Sequence, residues 1–343
     1  MKKKLGVIIL NWNGLELLKQ FLPLASQYTV CDEADLIVAD NASTDGSVEW
    51  IEQNHPEVKV IRFDTNLGFA KGYNLAIDRT DYPYVTLLNS DVEVTPGWWQ
   101  PLLRFLENNP DVGAVMPKIL SWRDKTKFEY AGAAGGYLDS LCYPYCRGRL
   151  FDVVETDSGQ YDGAPVDVAW ASGACLTMPS DLYRNLGGLD ALFFAHMEEI
   201  DLCVRVWGAG RRVCAITDSK VYHVGGASLS RNNPRKTYLN FRNNLLLIHK
   251  NTPRDKARKL LFVRRLTDTL AFIMFVLKGQ FADAGAVLRA HRDFRKMRGS
   301  YTDFPSENHL SGLPGADRNA IVSRYLLRRT SLMPKTNPNH TKI

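Results

Sequence analysis

At 343 residues, 45% hydrophobic and 23% charged, the chain is globular and long enough to bury a sizeable core in one large domain or two smaller ones. Its net charge of +6 hides an asymmetry: residues 1–230 carry 20 Lys+Arg against 30 Asp+Glu, residues 231–298 carry 17 against 4, and residues 299–343 carry 6 against 3. An acidic front and a basic back suggest two jobs, with the back facing an anionic partner such as lipid headgroups or nucleic acid.

Met1-Lys2-Lys3-Lys4 runs into only six apolar or glycine residues before Asn11-Trp12-Asn13, too few for a secretory leader, so the expected location is the cytosol. From there, apolar runs of strand length alternate with helix-like stretches. LGVIIL (5–10), ADLIVAD (34–40), VKVIRF (58–63) and YVTLLN (84–89) are predicted strands, and 14–22, 46–54, 68–79 and 97–108 predicted helices. Such alternation implies a mostly parallel α/β sheet with helices on both faces, in which ligands bind beyond the carboxyl ends of the strands. Three of those ends are polar: Asn11-Trp12-Asn13-Gly14, Asp40-Asn41-Ala42-Ser43-Thr44-Asp45-Gly46 and Asn89-Ser90-Asp91.

No GxGxxG follows the first strand and no GxxxxGK[ST] occurs, which argues against a dinucleotide dehydrogenase or a P-loop enzyme. Asp40 can accept hydrogen bonds from a base or ribose, and Asp45 lies five residues on, although both also suit a capped turn. Asn66, Gly68 and Lys71 open the next helix, where glycine permits close approach and the lysine offers a cation; a plain capped helix is the alternative. The six cysteines show no CxxC pair and read as reduced thiols.

Together VIILNWNG, VADNASTDGS, NLGFAKGYNLAI, LLNSDVEV and GGLDALFFAHMEEIDLCVRVWGAGRRV closely resemble the family 2 glycosyltransferases, over roughly residues 5–250. The resemblance implies the glycosyltransferase A-type fold of nucleotide-diphospho-sugar transferases, a nucleotide-sugar donor over the strand ends, and a divalent metal (Mg²⁺ or Mn²⁺) on its diphosphate. It also implies inversion at the anomeric carbon. Asn11, Asp40 and Asp45 fall on the nucleoside side, and Asn89-Ser90-Asp91 falls on the family's Asp-x-Asp element with Asn in place of the first acid. That leaves Asp91 as the carboxylate ligand, and one suffices where phosphates and water complete the shell.

The family's Glu-Asp-x-Asp pattern falls on Glu198-Glu199-Ile200-Asp201, placing the general base at Glu199, with Glu198 and Asp201 on the acceptor side. His223 resembles the family's metal-binding histidine before a Gly-rich loop. Trp170, Ser172 and Gly173 match the strand before the base, where donor sugar or acceptor contact and core packing are equal readings for Trp170. The expected acceptor is a glycan or lipid-linked hydroxyl, with a lean towards the rhamnosyltransferase-like branch.

Three segments are expected: a catalytic domain at 1–230, a basic and partly apolar helical extension at 231–299, and a flexible segment at 300–343 in which AIVSRYLLRR is a candidate helix. LAFIMFVL (270–277) is too short to cross a bilayer, which needs about 20 residues. Beside Arg254, Lys256, Arg258, Lys259, Arg264, Arg265 and Lys278 it suits an interfacial helix on the anionic inner face of the cell membrane, or a helical subdomain packed on the core. Two other functions remain open: a nucleotidyltransferase, against which NWNGLELL offers no cation for a triphosphate, and a nucleic-acid-binding protein, against which no recognition motif accompanies the charge. No nucleic-acid partner is expected.

Overall fold

Parallel pairing needs crossovers, and the first ninety residues supply a helix between each pair of strands. In the computed structural model, which describes residues 2–150, 153–225, 233–315 and 321, these are β1 (Leu5–Asn11), α1 (Leu15–Thr29), β2 (Ala34–Asp40), α2 (Ser47–Asn54), β3 (Lys59–Arg62), α3 (Gly68–Asp78) and β4 (Tyr84–Leu88). β1 pairs in parallel with β2 and β4, and β2 with β3, so the expected strands and their order hold. The helix expected to end at residue 22 continues to Thr29 through Pro23. Leu18, Phe21, Leu22 and Ala25 form one buried stripe across the proline, and this packing outweighs the backbone hydrogen bond that proline removes.

β5 (Val92–Val94), α4 (Gln100–Asn108) and the long β6 (Val112–Ser121) follow. A small antiparallel sheet is then built from β7 (Gly136–Leu138), β8 (Pro144–Cys146), β9 (Arg149–Leu150) and β10 (Val153–Val154). The chain returns to the main sheet as β11 (Val166–Asp167), β12 (Cys175–Pro179), α5 (Ser180–Asn185), α6 (Glu198–Gly208) and β13 (Arg212–His223). The main sheet runs β11-β13-β6-β12-β4-β1-β2-β3, with β5 on β13. β12 lies antiparallel to β4, with Cys175 opposite Leu88, which brings residues 172–174 beside the polar tip of β4.

The basic segment is helical: α7 (Pro234–Lys250), α8 (Arg254–Leu277) and α9 (Phe281–Met297). Its first helix sinks into the main core through Leu245, Leu246, Leu247 and Ile248. Arg264, expected among the surface charges, is instead buried; it donates to Asp268 at 3.1 Å and to the Leu141 carbonyl at 2.9 Å, and lies 3.8 Å from the Tyr143 ring centre. A guanidinium needs such partners when it leaves water. No described helix is long and apolar enough to cross a membrane. AIVSRYLLRR lies outside the described residues apart from Ile321, whose N–H donates to Asp139 at 2.9 Å.

Candidate active site

The loops after β1 and β2 are latched to each other. Asn11, last in β1 and paired with Asp40 across the sheet, donates to the Asp40 carboxylate at 3.1 Å and to Ser47 Oγ at 2.9 Å. The other Asp40 oxygen accepts the Ser43 N–H at 2.9 Å. Asp40 is 3% exposed, so its carboxylate shapes the loop and does not stand open to a ligand. Asp45 accepts from the Leu15 N–H at 2.9 Å and the Ser47 N–H at 3.1 Å, joining the starts of α1 and α2. Burial alone would raise Asp45, but these hydrogen bonds outweigh it and hold the acid below its usual range.

Asn66 is tied in by Asn41, whose Nδ2 donates to its Oδ1 at 2.9 Å while its own Oδ1 accepts the Leu67 N–H at 2.8 Å. Gly68 takes φ +75°, a conformation that favours glycine. Lys71 is exposed on α3, and Gly68, Lys71, Ala191 and Phe194 line a pocket of about 200 Å³. Phe193 is buried as an anchor of the acidic segment. Phe194, next to it in the chain and expected to share that role, is instead 48% exposed and has a φ of +65°.

At the tip of β4, the Asn89 N–H donates to the Ala174 carbonyl at 3.0 Å, and Asn89 and Ser90 are half-buried. Asp91 is 7% exposed, with Oδ1 3.0 Å from His223 Nε2; the other ring nitrogen of His223 lies 3.5 Å from Glu129. Burial would lower His223, but Glu129 and Asp91 on its two sides raise it to about 10. His223 and Asp91 are therefore together as expected, and Glu129 is a third member that no sequence spacing announces. Among the described residues no group of three or more His, Cys, Asp or Glu side chains is arranged to hold a metal unaided. A carboxylate and a histidine ring in contact nonetheless suit a divalent cation whose other ligands come from a diphosphate and water, provided that the cation displaces the proton that Asp91 and Glu129 hold on the ring.

Glu198 and Glu199 open α6, which meets the 172–174 turn at Gly173. A Cβ added to Gly173 would lie 3.4 Å from Glu199 Cβ, so the glycine sits flush against this acid. One oxygen of each glutamate is buried without a hydrogen-bond partner. Burial pushes Glu199 up to about 7; Glu198 is driven well above its usual range by burial and by the neighbouring Glu199 charge. As a pair they share one proton most readily on Glu198, leaving Glu199 to take one near neutral pH.

Three acceptor-side candidates turn inward. Asp201 is fully buried; it accepts from Arg205 at 2.9 Å, Lys250 at 2.8 Å and Asn251 at 2.9 Å. Trp170, 3% exposed, donates to the Tyr137 carbonyl at 3.0 Å and covers Gly136, so core packing is its role. Ser172 is buried, donates to the Ala131 carbonyl and accepts the Ala174 N–H at 3.2 Å, fixing the turn.

What holds the acids up is α7. Phe194, His196 and Met197 have φ of +65°, +68° and +73°, each a strain of about 1–3 kcal/mol for a non-glycine residue. Asn243 shares its two amide protons among the carbonyls of Phe193, Ala195 and His196 at 2.9, 2.8 and 2.6 Å, and Arg242 adds a bond to Phe193 at 2.7 Å. Asn243→Ala should strand these buried carbonyls and cost roughly 2–4 kcal/mol, read as a lowered denaturant midpoint with unchanged slope. A midpoint within error of the parent would show that the loop holds itself. The hint in the sequence was Asn243-Asn244, two poor helix formers beside the apolar run Leu245–Ile248.

Residues 6–155 match the family described as "Glycosyl transferase family 2". The chain is 25% identical over 248 residues to an N-acetylglucosaminyl-diphospho-decaprenol L-rhamnosyltransferase of Mycobacterium tuberculosis, covering 67% of this chain and 79% of that one. It is similar in structure to GalNAc-T7 solved with UDP, GalNAc and Mn²⁺ (TM-score 0.56, 15% identity), over 72% of this chain and 47% of that one. The mannosyltransferase PcManGT from Pyrobaculum calidifontis, in complex with GDP-Man and Mn²⁺, is matched at TM-score 0.51 and 14% identity, over 86% of this chain and 88% of that one.

Proposed function

Since the chain is a family 2 glycosyltransferase of the glycosyltransferase A-type fold, we propose that it transfers a sugar, with inversion, from a nucleotide-sugar donor to a hydroxyl of a glycan or lipid-linked acceptor at the inner face of the cell membrane. The observation that best supports this is that the 172–174 turn meets both acidic segments: Ala174 accepts the Asn89 N–H at the strand tip that carries Asp91, and Gly173 lies against Glu199, one oxygen of which is buried without a hydrogen-bond partner.

The donor's nucleoside lies against the latched loops of Asn11, Asp40 and Asp45, and its diphosphate near Gly68, Lys71, Asn89 and Ser90. Asp91 and His223 would hold Mg²⁺ or Mn²⁺, which when bound neutralises charge on the leaving diphosphate. Glu199 takes the proton from the acceptor hydroxyl as that oxygen attacks the anomeric carbon from the face opposite the diphosphate. Glu198, keeping its own proton, leaves Glu199 as the ionised partner.

Release of nucleoside diphosphate from a panel of nucleotide sugars tests the reading: one donor should be consumed with Mn²⁺ or Mg²⁺ present and spared when the metal is chelated. A nucleotidyltransferase would release no nucleoside diphosphate from these donors and would instead form pyrophosphate when given a nucleoside triphosphate and a sugar phosphate. Because Glu199 acts as a base with its proton affinity set near 7, kcat should rise with pH through about 7 and level off above it. A profile flat from pH 5 to 9 would remove Glu199 from the role.

A further inference from the structure

Helix α8 shows solvent a face that helices ordinarily bury. Phe262, Leu266, Leu270 and Ile273 are 61%, 59%, 47% and 46% exposed, and Val263 and Val276 stand exposed among them. Their spacings of three and four residues place them on one stripe roughly 100° wide. The opposite side of α8 packs inward through Ala257, Arg264 and Asp268, so packing on the protein accounts for one face and leaves the other without a partner among the described residues. At 24 residues the helix is about 36 Å long, and it carries the stripe through most of that length.

We propose that this stripe is a docking surface for an anionic lipid bilayer, with α8 lying in the plane of the interface. Charge decides the occupant. The exposed residues of α8 include five bases (Arg254, Lys256, Arg258, Lys259 and Arg265) and one acid, Asp255. On the helical projection Arg258 and Arg265 border the stripe on one side, while Lys256 and Lys259 lie at its N-terminal end. α9 adds exposed Arg289, Arg292, Arg295 and Lys296. A second copy of the chain would bring the same bases against these. Residues 316–343 carry six bases and one acid, so the chain's own C-terminal stretch is like-charged as well. Anionic headgroups complement the bases, and the acyl boundary accepts the apolar side chains between them.

The docking stands independently of the transfer chemistry; it gives the proposed lipid-linked acceptor a surface to arrive on. Flotation of the full-length chain with vesicles of phosphatidylcholine alone, or mixed with phosphatidylglycerol, tests it. Binding should appear with the mixed vesicles and weaken with salt. Phe262→Ser/Leu266→Ser/Ile273→Ser should abolish it without lowering the melting temperature, because all three side chains are exposed. Arg258→Glu/Arg265→Glu should weaken it at least tenfold, each charge being worth roughly fivefold.

Failure to float with either vesicle overturns the proposal, as does flotation that the triple variant leaves intact. A parent that sediments as a dimer, with a monomeric triple variant, would assign the stripe to a second copy. Vesicle binding that appears only after residues 316–343 are deleted would assign it to that segment. Release of nucleoside diphosphate, measured in the same preparations, keeps failure of the chemistry distinct from failure of the docking.

Discussion

Asp91→Asn should lower turnover by at least about 10²–10³-fold, the range seen when a group that stabilises developing transition-state charge is removed. Its carboxylate is the acid at the tip of β4, and the amide that replaces it keeps the shape while losing the negative charge. Asn89, two residues earlier, is already uncharged, so no neighbouring acid on that tip substitutes. Isothermal titration with UDP and GDP, with and without Mn²⁺, should show parent affinity that depends on the metal and variant affinity that does not. Unchanged metal dependence in the variant would remove Asp91 from that role.

Glu199→Gln should separate binding from chemistry. Donor affinity should stay near the parent value while kcat falls by about 10²–10⁴-fold, because the amide fills the same space beside Gly173 and cannot accept the proton. Glu198→Gln is the informative control. It mimics a carboxyl that is already protonated, so it should cost far less kcat and should leave the Glu199 titration near its parent position, since burial is what raises that group. A larger kcat loss at Glu198 than at Glu199, with donor binding intact in both, would exchange their roles.

The first four strands were legible because each is an apolar run of strand length, three of them ending at a polar cluster, and local pattern alone specifies a strand-helix alternation. The motif acids were legible for a related reason: strand tips and a helix start are local features, and Asp91, Glu198 and Glu199 occupy them. Long-range pairing was not. Nothing in CLTMP announces that β12 inserts antiparallel between β4 and β6, yet that insertion sets the 172–174 turn between the two acids. Glu129 reaches His223 only through the β6–β13 register and the turn that follows β6. Trp170 and Asp201 matched a pattern and proved to be buried, since a motif gives a residue's place in the chain but not the direction of its side chain.

The clamp from α7 has a consequence for the order in which the enzyme comes into being. A chain is synthesised from its N-terminus, and Asn243 follows His196 by 47 residues. The donor-side loops and both glutamates therefore leave the ribosome before the amide that holds the acidic loop in its strained shape. Activity waits for α7 to emerge, and a chain stopped short of that helix has the residues for transfer without the clamp that shapes their loop.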